Sequence, residues 1–250
     1  MATIAQFRPP YPLDIAASLA EVEWRLESFL AGSDGRGLEL AANLSRFSTA
    51  FRAVAIVGGM IRDFARVGAP GFHSDIDLVI DAPTAAVSDF ARQVGARANA
   101  FGGNSVVLGG WEFDFWALET TWAAREGHVH LSVIDDVLKS TFFEIDAILF
   151  HLGRRKVICN DVYLSSQQLN ILEVNLEANA SIIGCLYRAA RRILGWELTA
   201  GSRLRHFISN NLDSAAFVEM TSIEKRKMAT PIIQSFQDVT ALREALAIDS

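Results

Sequence analysis

At 250 residues, half of them hydrophobic, the chain has enough apolar material for one large domain or two small ones with a real core. A formal charge of −6 and a pI near 5.4 exclude a protein that coats a phosphate backbone with a broad basic surface, so any nucleic acid must be held locally. The cysteines, Cys159 and Cys185, lack the spacing of a zinc or redox site, and neither a signal-peptide h-region nor an apolar run of about 20 residues is present, so we expect a soluble, cytoplasmic protein without membrane contact.

From Asp14 to Leu30, apolar residues recur at helical spacing (Ile15, Leu19, Val22, Leu26, Phe29, Leu30), and Gly32-Ser33-Asp34-Gly35 closes the segment. A second helical stretch runs from Leu38 to Phe51, and both read as packing elements in a region spanning 1–50. Next come an apolar strand, Val54–Val57, the pair Gly58-Gly59, and Met60-Ile61-Arg62-Asp63 opening a helix; a second strand begins Ser74-Asp75-Ile76-Asp77-Leu78. Residues i and i+2 of a strand share a face, their Cα atoms roughly 6.6 Å apart, so Asp75 and Asp77 can converge on one cation or a metal pair. Hard oxygen donors of this kind suit Mg²⁺, which takes the rest of its shell from water and substrate phosphates. Glycines after the first strand let backbone N–H groups approach phosphate oxygens. The two segments together describe a site for a nucleoside triphosphate and its metal.

Farther along, Thr84 to Ala98 reads as a helix, Ser105–Leu108 as a strand, and Trp111–Trp116 as a strand with period-2 alternation. Glu112, Asp114 and Trp116 share one face of it. Asp114 is the candidate third carboxylate, assisting proton loss from an attacking hydroxyl, with Glu112 behind it. His128-x-His130 could place two imidazoles on one strand face, but without a third ligand it reads as a polar loop. Phe142 to Phe150, the turn Gly153-Arg154-Arg155-Lys156, and Val157-Ile158 form a last hairpin or helix-turn-strand edge, completing a region over 51–164. From 165 to 250 the chain reads as helical, with breaks near Gly195 to Gly201, at Asn210-Asn211 and before Pro231. From residue 181 onward nine Lys/Arg face seven Asp/Glu, a net of +2; the preceding part carries 14 and 22, a net of −8. Arg188, Arg191 and Arg192 fall at i, i+3 and i+4, one helix face that could take the phosphates of an acceptor or pair with acidic neighbours.

Gly58-Gly59-Met60-Ile61-Arg62-Asp63 with Asp75-Ile76-Asp77 resembles the head of class II tRNA nucleotidyltransferases and bacterial poly(A) polymerases, within the polymerase-β-like nucleotidyltransferase superfamily. Phe143-Glu144-Ile145-Asp146-Ala147 falls where that family shows Arg-Arg-Asp-Phe-Thr-Ile-Asn-Ala, and Val157-Ile158-Cys159-Asn160-Asp161 resembles its Asp-containing turn. The segment Tyr187–Leu198 is similar to the family's neck helix. The likeness covers about residues 50 to 200 and implies an α/β (α+β) head with a mixed sheet followed by an all-helical, neck-like region.

The resemblance implies transfer of a nucleoside monophosphate from an NTP to an acceptor hydroxyl, with pyrophosphate released. Asp75 and Asp77 would hold two Mg²⁺ ions, with Mn²⁺ also admissible, and Asp114 would complete the catalytic set. Gly58 and Gly59 would cradle the β and γ phosphates, and Arg62 would neutralise charge or brace Asp63. The basic pair of the second motif is replaced by Ser140-Thr141-Phe142, leaving Lys139 as a substitute cation. The base-reading Glu-Asp-x-x-Arg falls at Ala178-Asn179-Ala180-Ser181-Ile182, with neither carboxylate nor arginine. The expected acceptor is the 3′ end of an RNA such as tRNA, guided by Arg188, Arg191 and Arg192. The alternatives are a protein, nucleotide or small-molecule acceptor, or a non-catalytic nucleotide-binding module. The oligomeric state is not readable from the chain.

Overall fold

The computed structural model describes residues 13–32, 35–72, 74–99, 102–227 and 229–248. Ser33 and Asp34 of the first expected helix stop lie outside them. The chain forms two compact units, one from residues 13–141 and 145–167, the other from 142–144 and 168–248.

In the first unit α1 (Leu19–Leu30) starts at Ser18, whose side chain accepts from Glu21 N, and buries Val22 and Leu26. Helix α2 (Arg36–Ala50) buries Leu40, Leu44 and Phe47. Then follow β1 (Val54–Val57), α3 (Gly59–Arg66), β2 (Ile76–Ile80), α4 (Thr84–Gln93), β3 (Arg97–Ala98), β4 (Asn104–Leu108), β5 (Trp111–Ala117), α5 (Trp122–Arg125), β6 (Ile148–His151), β7 (Lys156–Cys159) and α6 (Tyr163–Gln168). The helix expected to reach Ala98 stops at Gln93. Gly95, at φ 72°, turns the chain back, and Arg97–Ala98 pairs with β4 instead.

Seven strands form one mixed sheet in the order β3-β4-β5-β2-β1-β6-β7, antiparallel throughout except for the parallel pair β2–β5. Strand β1 is buried at every residue, as a central strand covered on both faces must be. Side-chain alternation sorts the core into two layers. Ile56, Ile76, Leu78, Phe113, Phe115, Ile148 and Phe150 face α1 to α4 in the larger layer, where Phe47 lies against both Phe113 and Phe115. Ala55, Val57, Val79 and Leu149 face the other way, under Ile134 and Val137 of a short 3₁₀ segment, Ile134–Ser140. Asp77, two residues before Val79, belongs to this second face.

The second unit contains β8 (Ile171–Leu172), α7 (Ile182–Trp196), β9 (Thr199–Ala200), α8 (Ser202–Asn211), α9 (Ser214–Arg226) and α10 (Val239–Ala245). It is helical as expected, with one departure: β8 and β9 pair as a two-residue parallel ladder. The carboxylate of Glu173, next to β8, accepts from the backbone N–H groups of Arg203 and Leu204 and so caps α8.

Candidate active site

The register of the sheet assembles the carboxylates. Strands β2 and β5 run parallel with Asp77 directly beside Asp114, and Asp75 lies two residues before Asp77. One carboxylate oxygen from each of Asp75, Asp77 and Asp114 lies within 4.8 Å of the others. Among the described residues this is the only cluster of three or more His, Cys, Asp or Glu side chains close enough to share a metal. Asp75 is exposed, while Asp77 and Asp114 are half-buried. Burial, followed by the charges of Asp75, Asp114 and Asp146, pushes the Asp77 carboxyl up to about 8, with Arg62 acting in the opposite direction. A carboxylate so crowded by like charge, in a set of hard oxygen donors, fits a divalent cation.

Arg62 is buried at the start of this site. Its Nε and Nη2 donate to Asp63 Oδ1 at 2.9 and 2.7 Å, and Nη1 donates to Asp146 Oδ1 at 2.7 Å. Burial works against its charge, but Asp63 and Asp146 outweigh it and raise the guanidinium above its ordinary value. Of the two roles expected for Arg62, bracing Asp63 is the one its hydrogen bonds perform.

Gly58 caps α3 with φ 66° and ψ −117°, a conformation closed to residues with a Cβ, and the space where a Cβ would project is open. Its own N–H donates to Ile148 O at 3.1 Å, and its carbonyl accepts from Arg62 N at 3.0 Å. A helix leaves its first N–H groups without intrahelical partners, so Gly59, Met60 and Ile61 rather than Gly58 supply the donors there. A Cβ on Gly59 would come 3.0 Å from Ser74 Oγ.

The other expected residues make contacts of their own. Lys139 is exposed and pairs with Asp136 at 2.6 Å. In the second unit Arg191 donates to the fully buried Glu224 at 2.5 Å, and Arg192 is buried with its guanidinium 4.7 Å from the centre of the Phe143 ring. Only Arg188 of that trio is exposed, with Nη2 3.4 Å from Cys185 Sγ. The helix face expected to meet acceptor phosphates is thus largely turned to internal contacts, because α7 buries Ala189, Ala190, Ile193 and Leu194 beside these arginines. His128 is exposed, its ring centre 5.2 Å from that of Trp122. Two polar residues not singled out from sequence adjoin the site: Asp146, through Arg62, and Ser105, which donates to Asp114. The only signal for Asp146 was its place in the second motif-like segment; Ser105 had none, being visible only once β4 and β5 are in register.

The fold, a mixed-sheet head followed by a helical unit, is one that solved structures share. No protein-family model matches the chain, and no curated protein sequence matches it. Similar solved structures are tRNA-processing enzymes. A CCA-adding enzyme in complex with ATP aligns with a TM-score of 0.56 at 17% identity, over 92% of this chain and 53% of its own. A tRNA nucleotidyltransferase complexed with a primer tRNA and an incoming ATP analog aligns at 0.53 and 16% identity, over 78% and 58%. A tRNA-processing enzyme with CTP gives 0.53 and 16%, over 78% and 53%. The chain thus spans little more than half the length of these proteins. Among the described residues no helix is long and apolar enough to cross a membrane.

Proposed function

We propose that the protein is a divalent-metal-dependent nucleotidyltransferase that moves a nucleoside monophosphate from an NTP to an acceptor hydroxyl. The observation that carries this reading is the convergence of Asp75, Asp77 and Asp114 within 4.8 Å, with Asp77 paired to Val57, the residue before the open turn at Gly58. In the reaction the acceptor oxygen bonds to the α-phosphorus, the bond from that phosphorus to the bridging oxygen breaks, and pyrophosphate leaves. Asp75, Asp77 and Asp114 would hold Mg²⁺ or Mn²⁺, which supplies charge neutralisation and a lowered hydroxyl pKa when bound. The first-turn N–H groups of α3 would receive the β and γ phosphates, and Asp114 would take the hydroxyl proton. Arg62 acts at a distance, holding Asp63 and Asp146 in place.

The acceptor we favour is the 3′ end of an RNA such as tRNA, by analogy with the proteins of like fold. A second reading keeps the chemistry and changes the acceptor to a protein, nucleotide or small molecule. It draws support from the position expected to read the base, where Ser181 serves as the N-cap of α7 and accepts from Gly184 N. The test is to incubate the protein with Mg²⁺, each α-labelled NTP in turn and total RNA, following pyrophosphate and label, with Asp77→Asn as control. Label on RNA 3′ ends supports the first acceptor. Pyrophosphate release with label elsewhere supports the second, and full activity in Asp77→Asn refutes the site.

A further inference from the structure

Ser105 on β4 lies directly opposite Asp114 on β5, and its hydroxyl donates to Asp114 Oδ1. Asp114 in turn lies directly beside Asp77 on β2. Ser105, Asp114 and Asp77 therefore form one row across three neighbouring strands, on a single face of the sheet. We propose that Ser105 is a positioning residue for the third carboxylate, holding Asp114 in the orientation that shares a divalent cation with Asp75 and Asp77. This inference rests on the nucleotidyltransferase reading above.

The need for such a residue follows from the charges. With two carboxylates within 4.8 Å, the rotamers of Asp114 that turn away from Asp75 and Asp77 gain by escaping like charge. A donor on the adjacent strand, itself placed by the backbone ladder, removes that freedom. A carboxylate has about four lone-pair directions, so one bond at Oδ1 leaves the others for a cation. The donor is also neutral. Lysine or arginine in its place would orient Asp114 equally well but would compete with the cation for it. The row two residues away supplies the contrast: Glu112, the other acid on this face of β5, lies opposite Val107, which has no side-chain donor. The pairing thus singles out Asp114 over Glu112 as the third ligand.

The test is a titration of metal-free protein with Mn²⁺, followed by the loss of free-ion electron paramagnetic resonance signal. It compares wild type, Ser105→Ala, Ser105→Thr, Asp114→Asn, Asp77→Asn and the Ser105→Ala/Asp114→Asn double variant. Residues that orient metal ligands typically contribute 10-fold or more to affinity, so Ser105→Ala is expected to weaken Mn²⁺ binding about 10-fold. Ser105→Thr, which keeps the hydroxyl, is expected to stay within about 2-fold of wild type. In the Asp114→Asn background the serine change should cost nothing further. Where transfer activity is measured, Ser105→Ala should lower kcat and leave KM for the NTP nearly unchanged. Equal Mn²⁺ affinity in Ser105→Ala and wild type, with binding lost in Asp77→Asn, overturns the serine's role alone. An equal loss in both Asp114 backgrounds overturns it too, and a wild type that binds no Mn²⁺ overturns the metal site itself.

Discussion

Replacing Asp77 with asparagine is expected to stabilise the metal-free protein, and increasingly so as the pH rises. In the fold its carboxyl is shifted from an ordinary 3.8 to about 8, first by burial and then by Asp75, Asp114 and Asp146, against a smaller opposing pull from Arg62. Between those two values the folded chain holds a proton that the unfolded chain has lost, so stability falls with increasing pH. Below both values each state is protonated and the difference disappears. From pH 5 to pH 8 the linkage sets a ceiling of about 4 kcal/mol. Relaxation and water entry reduce this to about 1–3 kcal/mol, or roughly 3–10 °C in Tm for a chain of this size. Asparagine keeps the shape and removes the titration. The assay is a pair of thermal melts in EDTA, at pH 5 and pH 8, repeated with Mg²⁺. The variant should exceed wild type by a margin that widens at pH 8, and Mg²⁺ should close the gap by stabilising wild type alone. Should Asp77→Asn destabilise the protein equally at both pH values, the electrostatic account of the site is wrong.

Other substitutions test its remaining parts. Arg62→Ala leaves the half-buried Asp63 and Asp146 without their shared cation and should cost about 2–4 kcal/mol in urea unfolding; a cost under about 1 kcal/mol would show that the pairs do not hold the site together. Gly58→Ala forces a Cβ into a backbone conformation of φ 66° and ψ −117°, and should cost about 1–3 kcal/mol while weakening NTP binding. Unchanged stability in that variant would mean the turn relaxes freely. In the second unit, Glu224 is buried, which alone would raise its pKa, yet hydrogen bonds from the backbone of Gln234, Ile232 and Ile233, together with Arg191, lower it. A lowered carboxyl contributes stability above its unfolded value near 4.5, and that contribution is lost as the pH falls through the folded value. Glu224→Gln should therefore destabilise the protein at pH 7 and progressively less below pH 4, whereas a pH-independent loss would point to packing alone.

The parts of this molecule that sequence exposes are those set by local periodicity. Asp75 and Asp77 are two residues apart, one just before β2 and the other within it, and no tertiary information is needed to see that extended spacing can bring them together. Asp114 required more. Period-2 alternation placed both Glu112 and Asp114 on one face, and the parallel register of β5 against β2 makes Asp114 the one beside Asp77. Ser105 and Asp146 depend entirely on contacts made by distant segments: Ser105 on the β4–β5 ladder, Asp146 on the long-range bond to Arg62. The overlong helix through Ala98 fails for a different reason, since apolar spacing continued past Gly95, where the backbone had already turned. For the arginines of α7, spacing says which residues share a face but not whether that face meets solvent or Glu224 and Phe143.

Arg62 sits beside the gathered carboxylates but is bonded to two other acids. It is the guanidinium that acts on Asp77, yet Nε and Nη2 are directed at Asp63 and Nη1 at Asp146. Had the same side chain turned toward β2, it would have neutralised Asp77 with an internal salt bridge. The fold instead anchors the guanidinium between two other acids, and those acids hold it through short, partly buried hydrogen bonds. Asp146 then adds its own charge to the field at Asp77, so its bond to Arg62 both secures the arginine and keeps the carboxylate cluster short of positive charge. Asp146→Asn should separate the two effects. The hydrogen bond to Arg62 can persist through the amide oxygen, while the Asp77 carboxyl should titrate lower and Mn²⁺ should bind less tightly. A variant that bound Mn²⁺ as tightly as wild type, or more so, would show that the charge of Asp146 does not help to hold a cation at the cluster.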